Sequence, residues 1–364
     1  MKILLCVIML ICLVFLGAII YVYKKYALFL PGLLGLYDFP KVQKSTYYKE
    51  NGEYCEVDED EKMSFFMQHP VFEGYRHMFF NLEDAGLRGL APIKYKYFLK
   101  IQGREDQFKA SLEAFNYLLY LANNNQVKLI SNIYPVEERK NCDYYTHLTG
   151  ILYKGEKDKP FALVVPGGGF VSNVTDCEGY PLAMKLHQLG YSVFVLSYPV
   201  GKQLGSSNQE EQAQAATKML TYVIQYLNEH RQQLSINMDD FAIFGFSAGG
   251  LMTTAYSFAN YKDSCHKHHL PRPKVIFPMY GLDWNIKVYP EDVGLAVFSI
   301  VGKDDEFGFA KIEDKIPQIK KVLGEENVEI RIVEGLGHGF GIGNDTKVKN
   351  WLTDAIKFWE IHRN

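Results

Sequence analysis

The sequence predicts an α/β fold, a mainly parallel sheet covered by helices on both faces. Two observations after Gln126 carry that prediction. Short stretches such as Phe161–Val165 and Ser192–Ser197 are apolar without interruption, as strands buried on both faces must be. They alternate with longer stretches that keep one apolar face, which describes strands joined by helical crossovers. In such sheets sites lie at the carboxyl ends of the strands.

Taken in order, Ile3 to Tyr23 is a run of 21 uncharged residues bounded by Lys2 and by Lys24 and Lys25, long enough to cross a hydrocarbon core. We expect residues 1–25 to be an uncleaved transmembrane anchor, because Leu16-Gly17-Ala18 is a poor cleavage site for a secretory signal. The flanking positive charges tie, so orientation rests on analogy with signal anchors, which puts the domain that follows on the extracytoplasmic side. Residues 26–125 read as a linker and a small helical lid. Phe108, Leu112, Phe115, Leu119 and Ala122 share one face of a helix over Glu105–Asn123, and Met63–Phe80 is too aromatic for a solvated linker. The alternative is that these helices extend the main core away from any site.

Residues 126–364 form the expected α/β domain. Val127–Tyr134 and Thr146–Lys154 read as an antiparallel start, followed by the strand Phe161–Val165. A helix over Glu178–Leu189 ends at Gly190, suited to a C-cap, and leads to the strand Ser192–Ser197. Ala216, Met219, Leu220, Val223, Ile224 and Leu227 line one face of a long helix. Strands follow at Phe241–Phe244, Lys274–Met279, Ala296–Val301 and Val328–Val333, with a last helix near Thr346–His362.

The chain has 364 residues, is 48% hydrophobic and carries a net charge of −3, enough for one large core. It has no basic stripe of the kind that neutralises phosphates, so nucleic acid is not an expected partner. The six cysteines show no C-x-x-C spacing and suggest neither a metal site nor a disulfide framework.

The chemistry gathers at strand ends. Phe241 to Phe244 runs into Gly245-Phe246-Ser247-Ala248-Gly249 and then a helical stretch, the strand–turn–helix context that a nucleophilic serine on a sharp turn requires. A chain of this length contains G-x-S-x-G by chance about one time in ten, so position rather than pattern carries the assignment. A serine hydroxyl attacks only when an imidazole takes its proton and a carboxylate orients that imidazole. His338, in a glycine-rich loop after the strand Val328–Val333, fits the base. His266, His268 and His269 lie in a polar stretch with no preceding strand and read as solvated. For the acid, Asp304, Asp305 and Glu306 crowd the end of Ala296–Val301. Asp305 is preferred, Asp304 is second and Asp283 a further candidate. Pro166-Gly167-Gly168-Gly169-Phe170 after Phe161–Val165 supplies backbone N–H groups which, with that of Ala248, could hold a developing oxyanion. The loop lacks G-x-G-x-x-G spacing and a following Lys-Ser or Lys-Thr, which argues against a phosphate cradle.

Pro166-Gly-Gly-Gly-Phe170, Glu178-Gly-Tyr-Pro181, Gly190 to Tyr198 and Gly245 to Gly250 together resemble the bacterial acetyl-esterase and acetyl-xylan-esterase branch of the α/β-hydrolases, related to hormone-sensitive-lipase-like carboxylesterases. The resemblance runs from about Phe161 to the C-terminus. It implies an α/β-hydrolase fold and a serine esterase acting on a small-molecule or carbohydrate ester, favouring short acyl groups. It also implies oxyanion donors at Gly168, Gly169 and Ala248 and no metal or cofactor. Pro166 stands where lipase-like relatives often carry histidine. Glu178 also reads as part of a capping box, Thr175-Asp176-Cys177-Glu178. A serine exopeptidase of the same fold, or a catalytically silent binding protein, are the alternative functions.

Overall fold

The computed structural model describes residues 47–73, 91–258 and 270–363. Their strands are β1 (Val127–Ile130), β2 (Thr149–Tyr153), β3 (Pro160–Val165), β4 (Ser192–Ser197), β5 (Asn237–Phe246), β6 (Val275–Met279), β7 (Ala296–Gly302) and β8 (Val328–Val333). They form one sheet in the order β1-β2-β4-β3-β5-β6-β7-β8. β2 runs antiparallel to β1 and β4, and every pairing from β4 to β8 is parallel. The expected mainly parallel sheet with an antiparallel start is therefore present.

The helices are α1 (Met63–Met67), α2 (Tyr95–Ile101), α3 (Phe108–Asn123), α4 (Tyr180–Gln188), α5 (Gln209–Glu229), α6 (Ala248–Ala255), α7 (Ile316–Leu323) and α8 (Trp351–His362), with one short turn of helix after α5. Because strand side chains alternate between faces, each strand feeds two cores. Ala162, Val164, Val193, Val195, Phe244 and Phe277 join the apolar faces of α3, α4 and α8. Leu163, Val165, Phe194, Leu196, Ile243 and Ile276 join those of α5, α6 and α7. Fully burying one such side chain contributes about 1.5–3 kcal/mol, so the two layers together hold the sheet rigid beneath its strand ends.

Several boundaries differ from the sequence-based expectation for local reasons. The strand expected over Val127–Tyr134 ends at Ile130, where the left-handed Asn132 (φ 57°) breaks the extended chain. The next begins at Thr149 rather than Thr146 because Tyr145–His147 form a 3-10 turn. β5 starts four residues earlier than its apolar run, since backbone pairing does not need apolar side chains. The final helix starts at Trp351 rather than near Thr346.

The described part of the segment expected as a linker and lid packs on the sheet. α1, α2 and α3 bury Phe66, Leu99, Phe115, Leu118 and Leu119 in the same core as the sheet, so the described part of this segment extends the first layer. A 3-10 turn, Glu105–Gln107, precedes α3 and brings Gln107 to the loop that carries His338. Among the described residues no helix is long and apolar enough to cross a membrane, and the expected anchor Ile3–Tyr23 lies outside them. So do His266, His268 and His269.

Candidate active site

Ser247 occupies the junction between β5 and α6 with φ 49° and ψ −117°, a left-handed conformation that costs a non-glycine residue on the order of 1–3 kcal/mol. The strain is held by packing. Ser247 N–H donates to the Met279 carbonyl on neighbouring β6 at 3.1 Å, while Leu251 N–H donates to the Ser247 carbonyl. A Cβ on Gly249 would overlap the Val165 carbonyl, so only glycine lets α6 start this close to β3.

The structure brings together all three side chains expected to act in series. His338 Nε2 lies 2.8 Å from Ser247 Oγ, and His338 Nδ1 lies 2.7 Å from Asp305 Oδ2. Asp305 is buried in the turn after β7, its other oxygen accepting the Phe307 N–H at 2.9 Å. With Asp305 holding Nδ1–H, Nε2 is left as the acceptor that faces the serine, the tautomer proton abstraction needs. Asp304 is exposed, and Asp283 is used locally to accept the Asn285 N–H. Aromatic rings steady the imidazole, with Phe307 and Tyr280 edge-on at 4.6 Å and 5.0 Å and Phe309 stacked at 5.7 Å. Phe307 is 61% exposed, so it forms part of the rim.

The glycine loop after β3 lies against the serine, for a Cβ on Gly167 would come within van der Waals overlap of Ser247 Cβ. Gly168 has φ +123°, accessible to glycine but not to residues with a side chain. Each neighbouring polar group is tied down. The Pro166 carbonyl accepts the Tyr198 hydroxyl at 3.0 Å, Gly167 N–H donates to Glu178 Oε2 at 2.6 Å, and Val174 N–H donates to the Gly167 carbonyl at 3.1 Å. Among the described residues no acceptor takes the N–H groups of Gly168, Gly169 or Ala248. Three unused donors beside a serine suit an oxygen that gains charge there.

Residues that sequence reasoning missed sit immediately behind this arrangement. Glu178 makes no capping bond. It lies buried in a π-helical turn, Thr175–Gly179, and spends both oxygens on Gly167 N–H and on the Tyr280 hydroxyl at 2.9 Å. The capping-box reading of Glu178 is thereby corrected, because the turn is too wide to present the N3 geometry a box needs. Arg104 faces the same acidic cluster of Glu178 and Asp176. Burial, partly offset by Arg104, pushes the Asp176 carboxyl up to about 6, and the Tyr95 hydroxyl donates to it at 2.9 Å. These pairings join residues up to 102 positions apart and leave no periodic trace in the sequence. Among the described residues no three His, Cys, Asp or Glu side chains gather as a metal site would need.

A sheet of this order, with a serine elbow after β5, an acid after β7 and a histidine after β8, is the α/β-hydrolase fold. Residues 151–306 match the family described as BD-FAE. Among solved structures, the chain is similar to Est2, a thermophilic esterase from the Planctomycetes species Thermogutta terrifontis, at 17% identity and TM-score 0.50, over 64% of this chain and 91% of that one. The propionate-bound form of Est2 matches at 18% identity and TM-score 0.50, over 64% and 93% of the two chains. An acetyl ester-xyloside bifunctional hydrolase from Caldicellulosiruptor lactoaceticus matches at 20% identity and TM-score 0.47, over 64% and 95%. No curated protein matches the chain.

Proposed function

We propose that this protein is a serine carboxylic-ester hydrolase. The observation that carries the reading is the unbroken hydrogen-bonded series Ser247–His338–Asp305 on a strained elbow. Ser247 attacks the ester carbonyl as His338 takes its proton, and Asp305 stabilises the resulting imidazolium. Gly168, Gly169 and Ala248 N–H groups hold the oxyanion. His338 then protonates the leaving alcohol, and the acyl-enzyme is hydrolysed by water activated by the same histidine. None of these steps needs a cofactor.

Resemblance to the acetyl-esterase branch favours a short acyl group. A cavity of about 370 Å³ beside His338 is lined by Asp106, Gln107, Asp345, Thr346 and Lys347, polar groups suited to a hydroxyl-rich alcohol such as a carbohydrate. Est2, a thermophilic esterase, accords with this reading. We place residues 1–25 in a membrane, with the catalytic domain on its extracytoplasmic side.

One experiment tests both parts. Cells expressing the full chain are fractionated, and p-nitrophenyl acetate, butyrate and octanoate are assayed beside Ser247→Ala. Membrane-sedimenting turnover, greatest on the shorter chains and reduced at least about 10³-fold in the variant, is expected. Turnover that survives Ser247→Ala would overturn the mechanism, activity on aminoacyl amides alone would favour the exopeptidase, and fully soluble activity would remove the anchor.

A further inference from the structure

We propose that Glu178 is a positioning residue that sets two loops of this site, holding the glycine loop through Gly167 and the histidine loop through Tyr280. The inference rests on Ser247 being the nucleophile and on the glycine loop supplying its oxyanion donors.

The side chain is 2% exposed and its two oxygens have separate tasks. Oε2 accepts the Gly167 N–H at 2.6 Å. That bond sets the peptide plane from which the next two amides, with no acceptor of their own, are presented to the serine. Oε1 accepts the Tyr280 hydroxyl at 2.9 Å, and the same phenol oxygen accepts the Gly341 N–H at 3.1 Å. The Tyr280 ring stands edge-on to His338 at 5.0 Å and to Phe340 at 4.5 Å. One carboxylate therefore bridges residues 166–170 and 338–341, both of which meet Ser247. Tyr280 also holds a left-handed backbone (φ 36°), rare for a bulky residue and found where the surroundings over-determine a conformation. Burial, then the Glu178 carboxylate, hold its hydroxyl well above the ordinary tyrosine range, so it stays a donor.

Charge argues in the opposite direction, which makes the idea testable. A carboxylate behind Gly167 opposes the growth of negative charge on the substrate oxygen, while the nearby Arg104 acts against it. Were Glu178 merely a charge in the wall, neutralising it would raise kcat. If it is a positioning group, Glu178→Gln lowers kcat, because an amide offers one acceptor where two donors converge.

The experiment uses the full chain with Glu178→Gln, Tyr280→Phe and the double variant. Turnover of p-nitrophenyl acetate, phosphonylation of Ser247 by a fluorophosphonate, melting temperature and amide hydrogen exchange of the peptides covering 166–173 and 335–343 are measured. We expect kcat to fall about 30-fold in Glu178→Gln with KM within about twofold, a loss smaller than deletion of an oxyanion donor. Tyr280→Phe should lose less, the double variant no more than about the worse single, and exchange should rise in both peptides. Unchanged or raised kcat in Glu178→Gln, fully additive losses, or loss confined to melting temperature would overturn the proposal. Were wild type to turn over no ester and leave the fluorophosphonate unreacted, the esterase reading would fail. Exchange in the two loops would then still decide whether Glu178 holds them.

Discussion

Among the described residues, His69 and His338 are both largely withdrawn from solvent, and they end in opposite conditions. His69 sits among Tyr47, Tyr54, Phe65 and Phe115, with ring centroids 5.0–5.6 Å away. Its Nδ1 accepts the Val71 N–H at 3.2 Å, and burial pushes its titration down to about 3. His338 has aromatic neighbours too, but each nitrogen meets an oxygen that can exchange or hold a proton. Burial alone therefore does not fit a histidine for proton transfer. That takes oxygen partners at both nitrogens, which His338 has and His69 does not.

The aromatic region can be broken outright. Phe115→Ala removes a side chain in contact with Phe66, His69 and Phe72 and should cost about 3–5 kcal/mol of stability by urea unfolding. Specific activity per folded molecule should stay near wild type at low denaturant, since this region has no reacting group. A variant that is stable but inactive would show that the regions are not separable.

A smaller effect sharpens the contrast by pH. His69 binds its proton in the unfolded chain near 6.5 but in the folded chain only near 3, so the unfolded state holds more protons between these values. Its contribution is complete above pH 6.5 and is lost as pH falls, by about 2 kcal/mol at pH 5. His69→Phe should flatten the fall in stability from pH 6.5 to 5 relative to wild type. Equal slopes would mean that His69 is solvated.

The smallest effect lies where the two regions touch. Gln107 Nε2 donates to the Gly339 carbonyl at 2.8 Å, so the segment before the sheet steadies the residue after His338. Gln107→Ala should lower kcat several-fold, about 1 kcal/mol, with the melting temperature little changed. Unaltered kinetics would leave the segment a purely structural layer.

How much was legible follows from where each interaction lies along the chain. Ser247, His338 and the glycine loop each come directly after a strand, so an apolar run followed by glycine announced them. The choice between Asp304 and Asp305 was narrowed by position, but only the structure shows that Asp304 is exposed and Asp305 is buried against His338. Glu178 was misread as a cap, and the helix over 105–123 was found without its packing partner. Amphipathic spacing and capping patterns report that a face is apolar or a turn is helical, and nothing about which distant surface they meet.

By itself the sequence determined the α/β architecture and singled out Ser247, His338 and the glycine loop as candidates at strand ends, because period, apolar runs and turn residues act over a few positions. Only the tertiary structure decided which carboxylate meets the imidazole, how Glu178 and Tyr280 tie two loops together, and that α1 to α3 join the core. Those choices depend on hydrogen bonds and packing between residues tens to hundreds of positions apart, and such contacts impose no spacing on the chain that forms them.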